Sequence, residues 1–473
     1  MAIAKDDPIN RAAPSGVSVL IAGAGIAGLL CGLECHRNGM DVTLLEREPT
    51  SSPAGDFVVV GPSAKRIIQK NWPGWTKEWE KLQWNAEISY FKHDGEPIIG
   101  GFQFPDATGK LFLRPEIHKM MIAEVERLGI KILFNARVVD YFEDQSKAGV
   151  KLADGQTMTA DVVVAADGVH SKSWKVVVGD KPQQTSSGYS AYRTCYPAEI
   201  ALRDPLVKAW WGPYLESGKE VFQFFLGPDT HANILFGKDT VCWSLFHKDS
   251  SDTSEENWNA RLNADTAVAE FEKIAGWSPT VLALVKTTPP GGVNDYRMMW
   301  RDPQPTQASP LGRIIQIGDA CHTFLPTSAN GAVQAMEDGA SLAACLRMGG
   351  KDVRLATKVH SLLRFERISS AQLMGFMNRE TLHNTDWDAV KANPMKVRRG
   401  PGWWIGKHDP EQYAVDNYHA AALHITKGTP FENTNLPDNY KYRPWSIEQI
   451  EAEMKSPGFK PNEVFMDGGD LES

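Results

Sequence analysis

The sequence predicts an α/β protein: a parallel-sheet domain of βαβ units, interrupted by a mixed or antiparallel β-sheet domain and followed by a helical C-terminal region. Three observations predict it. Residues 17–46 read strand, glycine-rich turn, helix, strand. From Gly188 to Lys248 the pattern turns to short alternating runs divided by turns. At Arg313–Ile317 a buried strand returns, and residues 331–347 carry a long helical pattern.

The elements follow in order. Val17–Ala22 is an apolar strand, Gly23–Gly28 a tight turn, the next helix runs to about Asn38-Gly39, and Val42–Glu46 is the second strand. Ile117, Met121, Val125 and Leu128 share one helical face that ends at Gly129, before the strand-like Ile130–Phe134. Asp154-Gly155 is a hairpin signal ahead of the buried run Val162–Ala166. In the all-β stretch, Val221–Phe225 and Val241–Leu245 alternate between Gly227-Pro228-Asp229 and Gly237-Lys238-Asp239 turns. The division expected is a parallel-sheet domain over 16–187 and again over 301–380, a β-rich substrate domain over 188–300, a helical cap over 381–445 and a polar, loosely ordered tail over 446–473.

Composition removes several classes of function. The 473 residues carry Lys+Arg 50 against Asp+Glu 58, for a net charge of −8, with neither sign in runs, so no nucleic-acid footprint is expected. Six scattered cysteines without C-x-x-C or zinc spacing point to a reducing, cytoplasmic setting and to no metal. Four glycines break the longest apolar stretch, Val17–Leu33, so no membrane span is expected.

Gly23-x-Gly25-x-x-Gly28 follows a strand and opens a helix, the context in which glycines permit a tight turn and close approach of a pyrophosphate. Glu46 stands 18 residues after Gly28, where a carboxylate accepts from ribose hydroxyls. The domain expected is Rossmann-like and dinucleotide-binding, with a coincidental βαβ turn beside a surface glutamate as the alternative. A second strand-end carboxylate, Asp319 in Gly318-Asp319-Ala320-Cys321-His322, precedes Pro326 and the small-residue turn Ala329-Asn330-Gly331-Ala332, which opens a helix whose dipole can face a bound group. The two motifs lie nearly 300 residues apart, so a ligand touching both is long, which suits FAD. Asp167-Gly168 ends a third strand; alone it reads equally well as a turn.

Taken together, GAGIAG with Glu46, ADGVHS, and GDACHTFLP with ANGAVQAMEDG resemble the single-component FAD-dependent aromatic monooxygenases of the salicylate and para-hydroxybenzoate hydroxylase type, especially fungal members that make secondary metabolites. The resemblance covers roughly residues 16–380. It implies that Gly23, Gly25, Gly28 and Glu46 hold the ADP half of FAD, that Arg114 also contacts it, that Asp167 and Gly168 serve both FAD and the nicotinamide cofactor, and that Asp319 holds the ribityl chain. By the same resemblance Gly55, Pro326, Ala329, Asn330, Gly331 and Ala332 line the flavin. Three positions depart from the family pattern: Trp174 replaces an arginine, Thr323 a proline, and Ala329-Asn330-Gly331 a Gly-Gln-Gly.

The implied reaction uses NADPH or NADH and O2. Reduced FAD forms a C4a-hydroperoxide that delivers oxygen to an electron-rich ring. No second GxGxxG exists for a separate nicotinamide domain. The strand Gly188–Cys195 resembles the family's strand under the flavin and makes Tyr192 and Arg193 catalytic candidates; on a regular strand only one faces the pocket, and Arg193 is preferred. An interdomain salt bridge is the equal alternative for Arg193. Phe222, Phe224, Phe225, Trp243, Phe246, Trp210 and Trp211 supply aromatic wall or core. The substrate expected is a polycyclic phenol, or an indole alkaloid epoxidised at C2–C3 and rearranged to an oxindole, acted on by a monomer or homodimer. Another FAD-dependent oxidase or dehydrogenase, and a non-catalytic flavin-binding partner protein, are the competing readings.

Overall fold

The computed structural model describes residues 9–50, 55–103, 109–180, 185–249, 260–398, 402–456 and 459. Two sheets organise them. The first has five parallel strands in the order Ile314–Gln316, Val162–Ala165, Ser18–Ala22, Asp41–Leu45, Lys131–Leu133. Both of its faces are covered, which is why the central strands read as unbroken apolar runs rather than alternating ones. Helices Ile26–Arg37 and Gly331–Gly349 pack together on one face, and a three-stranded sheet of Val138–Glu143, Ala148–Leu152 and Thr157–Ala160 closes the other through Tyr141, Val150 and Leu152. Cys31 and Cys35 lie on the first helix, buried in this core.

The second sheet has eight strands, in the order Arg261–Leu262, Val293–Trp300, Thr185–Pro197, Thr240–Lys248, Thr230–Phe236, Val221–Gly227, Glu87–Lys92, Pro97–Gln103. Its last two strands correct the expected boundaries, because they come from the 16–187 segment and not from 188–300. Glu87–Lys92 pairs in parallel with Val221–Gly227, Tyr90 beside Phe224 and Phe91 beside Phe225, a match between segments too far apart for local patterning to reveal. The stretch read as all-β also contains helices Ala198–Ala201 and Pro205–Glu216. The longer one starts where Asp204 accepts from the N–H groups of Leu206 and Val207, with Pro205 in the first turn, where its missing N–H costs nothing.

Helices Pro205–Glu216, Ala264–Glu272 and Pro279–Lys286 pack on one face of this sheet. Phe225 and Trp243 belong to that core, as do Trp210 and Trp211, whose indole N–H groups both donate to Gln223 Oε1 at 3.1 and 3.0 Å. Those four residues are therefore core and not pocket wall. Phe222, Phe224 and Phe246 lie on the opposite face.

The long helix Val353–His383 runs from the first sheet's helices to the second sheet, and Pro410–Lys427 packs against Gly331–Gly349. Glu411 ties the latter helix to the N-terminal domain by ion pairing with Arg37 and accepting from Asn71 Nδ2. The expected loose tail from 446 is corrected over its first residues. Ile447–Met454 is a helix opened by a reciprocal Ser446/Gln449 capping box, and Ile447 and Ile450 are buried in one cluster with Phe376 and Trp445. The tail from 460 lies outside the described residues. Among the described residues no helix is long and apolar enough to cross a membrane, and no group of three or more His, Cys, Asp or Glu is placed to hold a metal.

Candidate active site between the two sheets

The glycine turn is built by close approach. Gly23 has φ +101°, and a Cβ there would stand 2.4 Å from the Ala166 carbonyl oxygen. A Cβ on Gly28 would stand 1.9 Å from the Gly23 carbonyl oxygen. Gly25 differs: its missing Cβ points into space with no protein atom within 4 Å. Glu46 steadies the turn, accepting from Ala24 N–H at 2.9 Å with Oε2 and from Glu48 N–H at 3.0 Å with Oε1. His118, which the sequence reading missed, meets the Ala24 carbonyl through Nε2 at 2.8 Å.

A charged cluster crosses from the first domain to the second sheet. Asp319 follows the strand Ile314–Gln316 and shows its side chain to open space, while protein crowds it from behind. That burial pushes its carboxyl pKa up against the pull of His322, Arg114 and Arg301. Arg114 opens its helix beside Gly55, whose Cβ would come 2.9 Å from Arg114 Cδ. Burial pushes the Arg114 pKa down, with Arg193 acting in the same sense and Asp319 and Asp56 opposing. Asp56 accepts from Arg193 Nε at 2.7 Å and Nη2 at 2.6 Å, a bidentate pair between the two domains. Asp56 had been assigned no role in the sequence; its place beside Gly55 was the available signal.

Arg193 and Tyr192 part company as strand alternation requires. Arg193 lies in one cross-strand row with Asn294, Ser244, Asn233, Phe224 and Tyr90, on the face toward the parallel-sheet domain. Asn233 Oδ1 and Ser244 Oγ in that row are buried without a hydrogen-bond partner among the described residues. Tyr192 is turned the other way, its ring 4.3 Å from that of His247 within the helix-covered core, and burial raises its phenol pKa. The expectation that Tyr192 joins the catalytic site is thus corrected.

The turn after Asp319 leads Pro326–Ser328 through Ala329 to Asn330, which caps Gly331–Gly349. Asn330 is buried; its N–H donates to Ser328 Oγ and its Nδ2 to the Ser328 carbonyl. Gly331 and Ala332 form the first turn of that helix. Ala329 takes φ +52°, the left-handed region that glycine fits without strain. Ala329→Gly is therefore expected to raise stability by up to about 1 kcal/mol, strain relief outweighing the added freedom of the unfolded chain. A thermal melt of the purified variant checks it, a lowered midpoint contradicting it. His322 Nε2 meets Asp338 Oδ2 at 2.6 Å, a structural bond.

The comparisons agree with this geometry. Residues 16–357 match the FAD binding domain family. The FAD-dependent monooxygenase dmxR9 of Cryptosporiopsis sp. is 37% identical over 476 residues, spanning 97% of this chain and 91% of that one. The chain is an FAD-dependent monooxygenase. Crystal structures of FqzB (TM-score 0.83, 28% identity, 92% of this chain and 100% of that one) and of CtdE with FAD and a substrate (TM-score 0.79, 30% identity, 87% and 100%) share its fold. The oxidase, dehydrogenase and non-catalytic readings give way to this one.

The residues present in the monooxygenase fit FAD. The space over Gly25 is a cradle that a Cβ would fill, and Asp319 stands exposed just after another strand of the same sheet. Asp167 Oδ2 accepts from Tyr141 O–H at 2.6 Å, while Oδ1 is buried with no hydrogen-bond partner among the described residues. The Asp167 backbone wedges against Gly23, and Gly168 takes φ +78° with open space at its Cβ position. Beside Asp319 lies a cavity of about 310 Å³ whose lining includes His170, Lys172, Trp174 and Arg301. His170, Lys172 and Trp174 come from one segment, and Arg301 joins them from a distant one, which local spacing does not reveal.

Proposed function

We propose that this monooxygenase inserts one oxygen atom of O2 into an electron-rich aromatic ring, a polycyclic phenol or an indole, with NADPH or NADH as the electron donor. The observation that carries the reading is the Arg193–Asp56 pair, set between the Arg114 and Asp319 end of the cofactor groove and a row of polar and aromatic side chains on the second sheet.

Bound FAD supplies the redox chemistry, taking electrons from a nicotinamide and passing them to O2. Gly23, Gly25, Gly28, Glu46, Arg114, Asp167, Gly168 and Asp319 would hold it, with Gly55, Pro326, Ala329, Asn330, Gly331 and Ala332 around the ring. The helix starting at Gly331 directs its positive end at charge that develops there. Asp56 holds the Arg193 guanidinium in one orientation, so Arg193 orients a phenolic oxygen or steadies an oxygen that gains charge as the ring is attacked. It acts through its fixed charge and its directed N–H groups.

Because Asp56 already neutralises the Arg193 charge, a benzoate carboxylate finds no net positive charge in that pair, which favours a neutral, larger ring. Phe222, Phe224 and Phe246 give such a ring an apolar wall that excludes water. The cavity at Lys172 and Arg301 offers cations for a nicotinamide dinucleotide's phosphates, and Trp174 offers a ring to stack on.

Aerobic incubation with NADPH or NADH and candidate phenols and indoles under 18O2 tests the reading. Ring-stimulated nicotinamide consumption with 18O in the product is expected; consumption with every ring left unlabelled would sink it. Arg193→Met is expected to lower product formed per nicotinamide consumed by about tenfold, worth about 1.4 kcal/mol of positioning. Unchanged coupling would return Arg193 to a purely interdomain role.

A further inference from the structure

We propose that Cys195 and Cys242 form a peroxide-responsive dithiol, a pair that hydrogen peroxide converts to a disulfide on the domain-facing side of the second sheet. The two residues are direct partners across the antiparallel strands Thr185–Pro197 and Thr240–Lys248. Side chains of such partners project together, with Cβ atoms about 4.5–5.5 Å apart against the 3.5–4.5 Å of a disulfide, so little movement closes the bond. Their sulfurs stand only 2.9 Å apart.

Access separates this pair from the chain's other close thiols. Cys195 is exposed and Cys242 buried, whereas Cys31 and Cys35, 3.9 Å apart, are both buried. An oxidant from solvent reaches Cys195 first, and Cys242 sits behind it as the resolving thiol. Burial pushes the Cys242 thiol pKa up, and its bond to Cys195 adds to that, so Cys195 is the one that attacks. The pair lies two residues along the same strands from Arg193 and Ser244, on the same face. An enzyme that brings a reduced flavin to O2 releases hydrogen peroxide whenever oxygen transfer fails, so the oxidant arises close by.

The step balances. Cys195 sulfur attacks one peroxide oxygen, the O–O bond breaks, and the departing oxygen leaves as water with the thiol proton. Cys242 sulfur then displaces the oxygen of the Cys195 sulfenic acid, which leaves as a second water with the Cys242 proton. Two thiols supply the two electrons that reduce one peroxide.

Treating the FAD-loaded protein with hydrogen peroxide, alkylating remaining thiols and mapping non-reduced peptides by mass spectrometry tests the proposal. Expected are a Cys195–Cys242 cross-link, loss of two of the six thiols, and recovery of both with dithiothreitol. In Cys242→Ser, a Cys195 sulfenic acid trapped by dimedone is expected. A wild-type protein that keeps all six thiols alkylatable, or in which Cys195 passes to sulfinic acid while Cys242 stays reduced, overturns it.

Discussion

Gly28→Ala is expected to yield a protein that neither folds to wild-type stability nor retains FAD, while Gly25→Ala, three residues away, keeps its fold and loses only the cofactor. The difference lies in what each missing Cβ would meet. At Gly28 it would lie 1.9 Å from the Gly23 carbonyl oxygen, 3.1 Å from the Gly23 carbonyl carbon and 3.3 Å from Ala166 Cβ. Two of these atoms are backbone, so no side-chain rotation relieves the overlap, and the helix Ile26–Arg37 must move off the sheet. Such overpacking against backbone is worth about 3 kcal/mol or more.

At Gly25 the Cβ meets nothing within 4 Å, and the residue has extended φ −76°, ψ −177°, which alanine adopts freely. As helix cap, alanine there costs about 1 kcal/mol or less. The methyl instead fills the cradle that fits a pyrophosphate, so FAD affinity is expected to fall tenfold or more, about 1.4 kcal/mol. Flavin absorbance of the purified variants, FAD titration of the apoproteins and apoprotein melting points check the pair. A fully flavinated Gly28→Ala, or a Gly25→Ala apoprotein as unstable as Gly28→Ala, would contradict the geometry.

The contrast also marks where the sequence is legible. Gly23, Gly25, Gly28 and Glu46 fall within one βαβ unit, so their spacing encodes their geometry, and Asp319 announces itself by ending a buried strand. Asp56 does not. Its partner Arg193 is 137 positions away, and only the packing of one domain on the other brings them together. The edge strands Glu87–Lys92 and Pro97–Gln103 were hidden for the same reason, since their membership of the second sheet depends on pairing with Val221–Gly227.

Two local signals were readable and went unused: Asp204-Pro205 opens a helix inside the β-rich stretch, and Ser446-x-x-Gln449 opens another in the tail. Alternation on the Thr185–Pro197 strand did separate Tyr192 from Arg193, and the structure adds which face each takes.

Replacing Glu337 by Gln is expected to loosen the C-terminal region, at about 3–5 kcal/mol, because it removes the anion from a buried network. Glu337 accepts from Arg364 Nη1 at 2.6 Å, from Arg367 Nε and Nη2 at 2.8 and 2.9 Å, and from Ser63 Oγ at 2.7 Å. Arg364 also holds Asp338, which accepts from the Gly318 N–H beside Asp319, so the network reaches the candidate site. Arg367 donates onward to the carbonyls of Ile405 and Asn435 and lies over the Trp404 ring. Without the Glu337 charge, Arg364 keeps Asp338 while Arg367 keeps no carboxylate partner among the described residues, which weakens its hold on the 402–435 segment.

Burial alone would push the Glu337 carboxyl pKa up, but Arg367 and Arg364 outweigh it and hold the group far below the ordinary carboxylate range. A depressed native pKa stabilises the fold above the unfolded value, about 4.3, and that stabilisation fades as pH falls further. The gap in stability between wild type and Glu337→Gln is therefore expected to be constant above about pH 5 and to shrink below about pH 4. Urea unfolding at a series of pH values measures it. A gap that stays constant down to pH 3 would mean that Glu337 acts there through its hydrogen bonds and not through its charge.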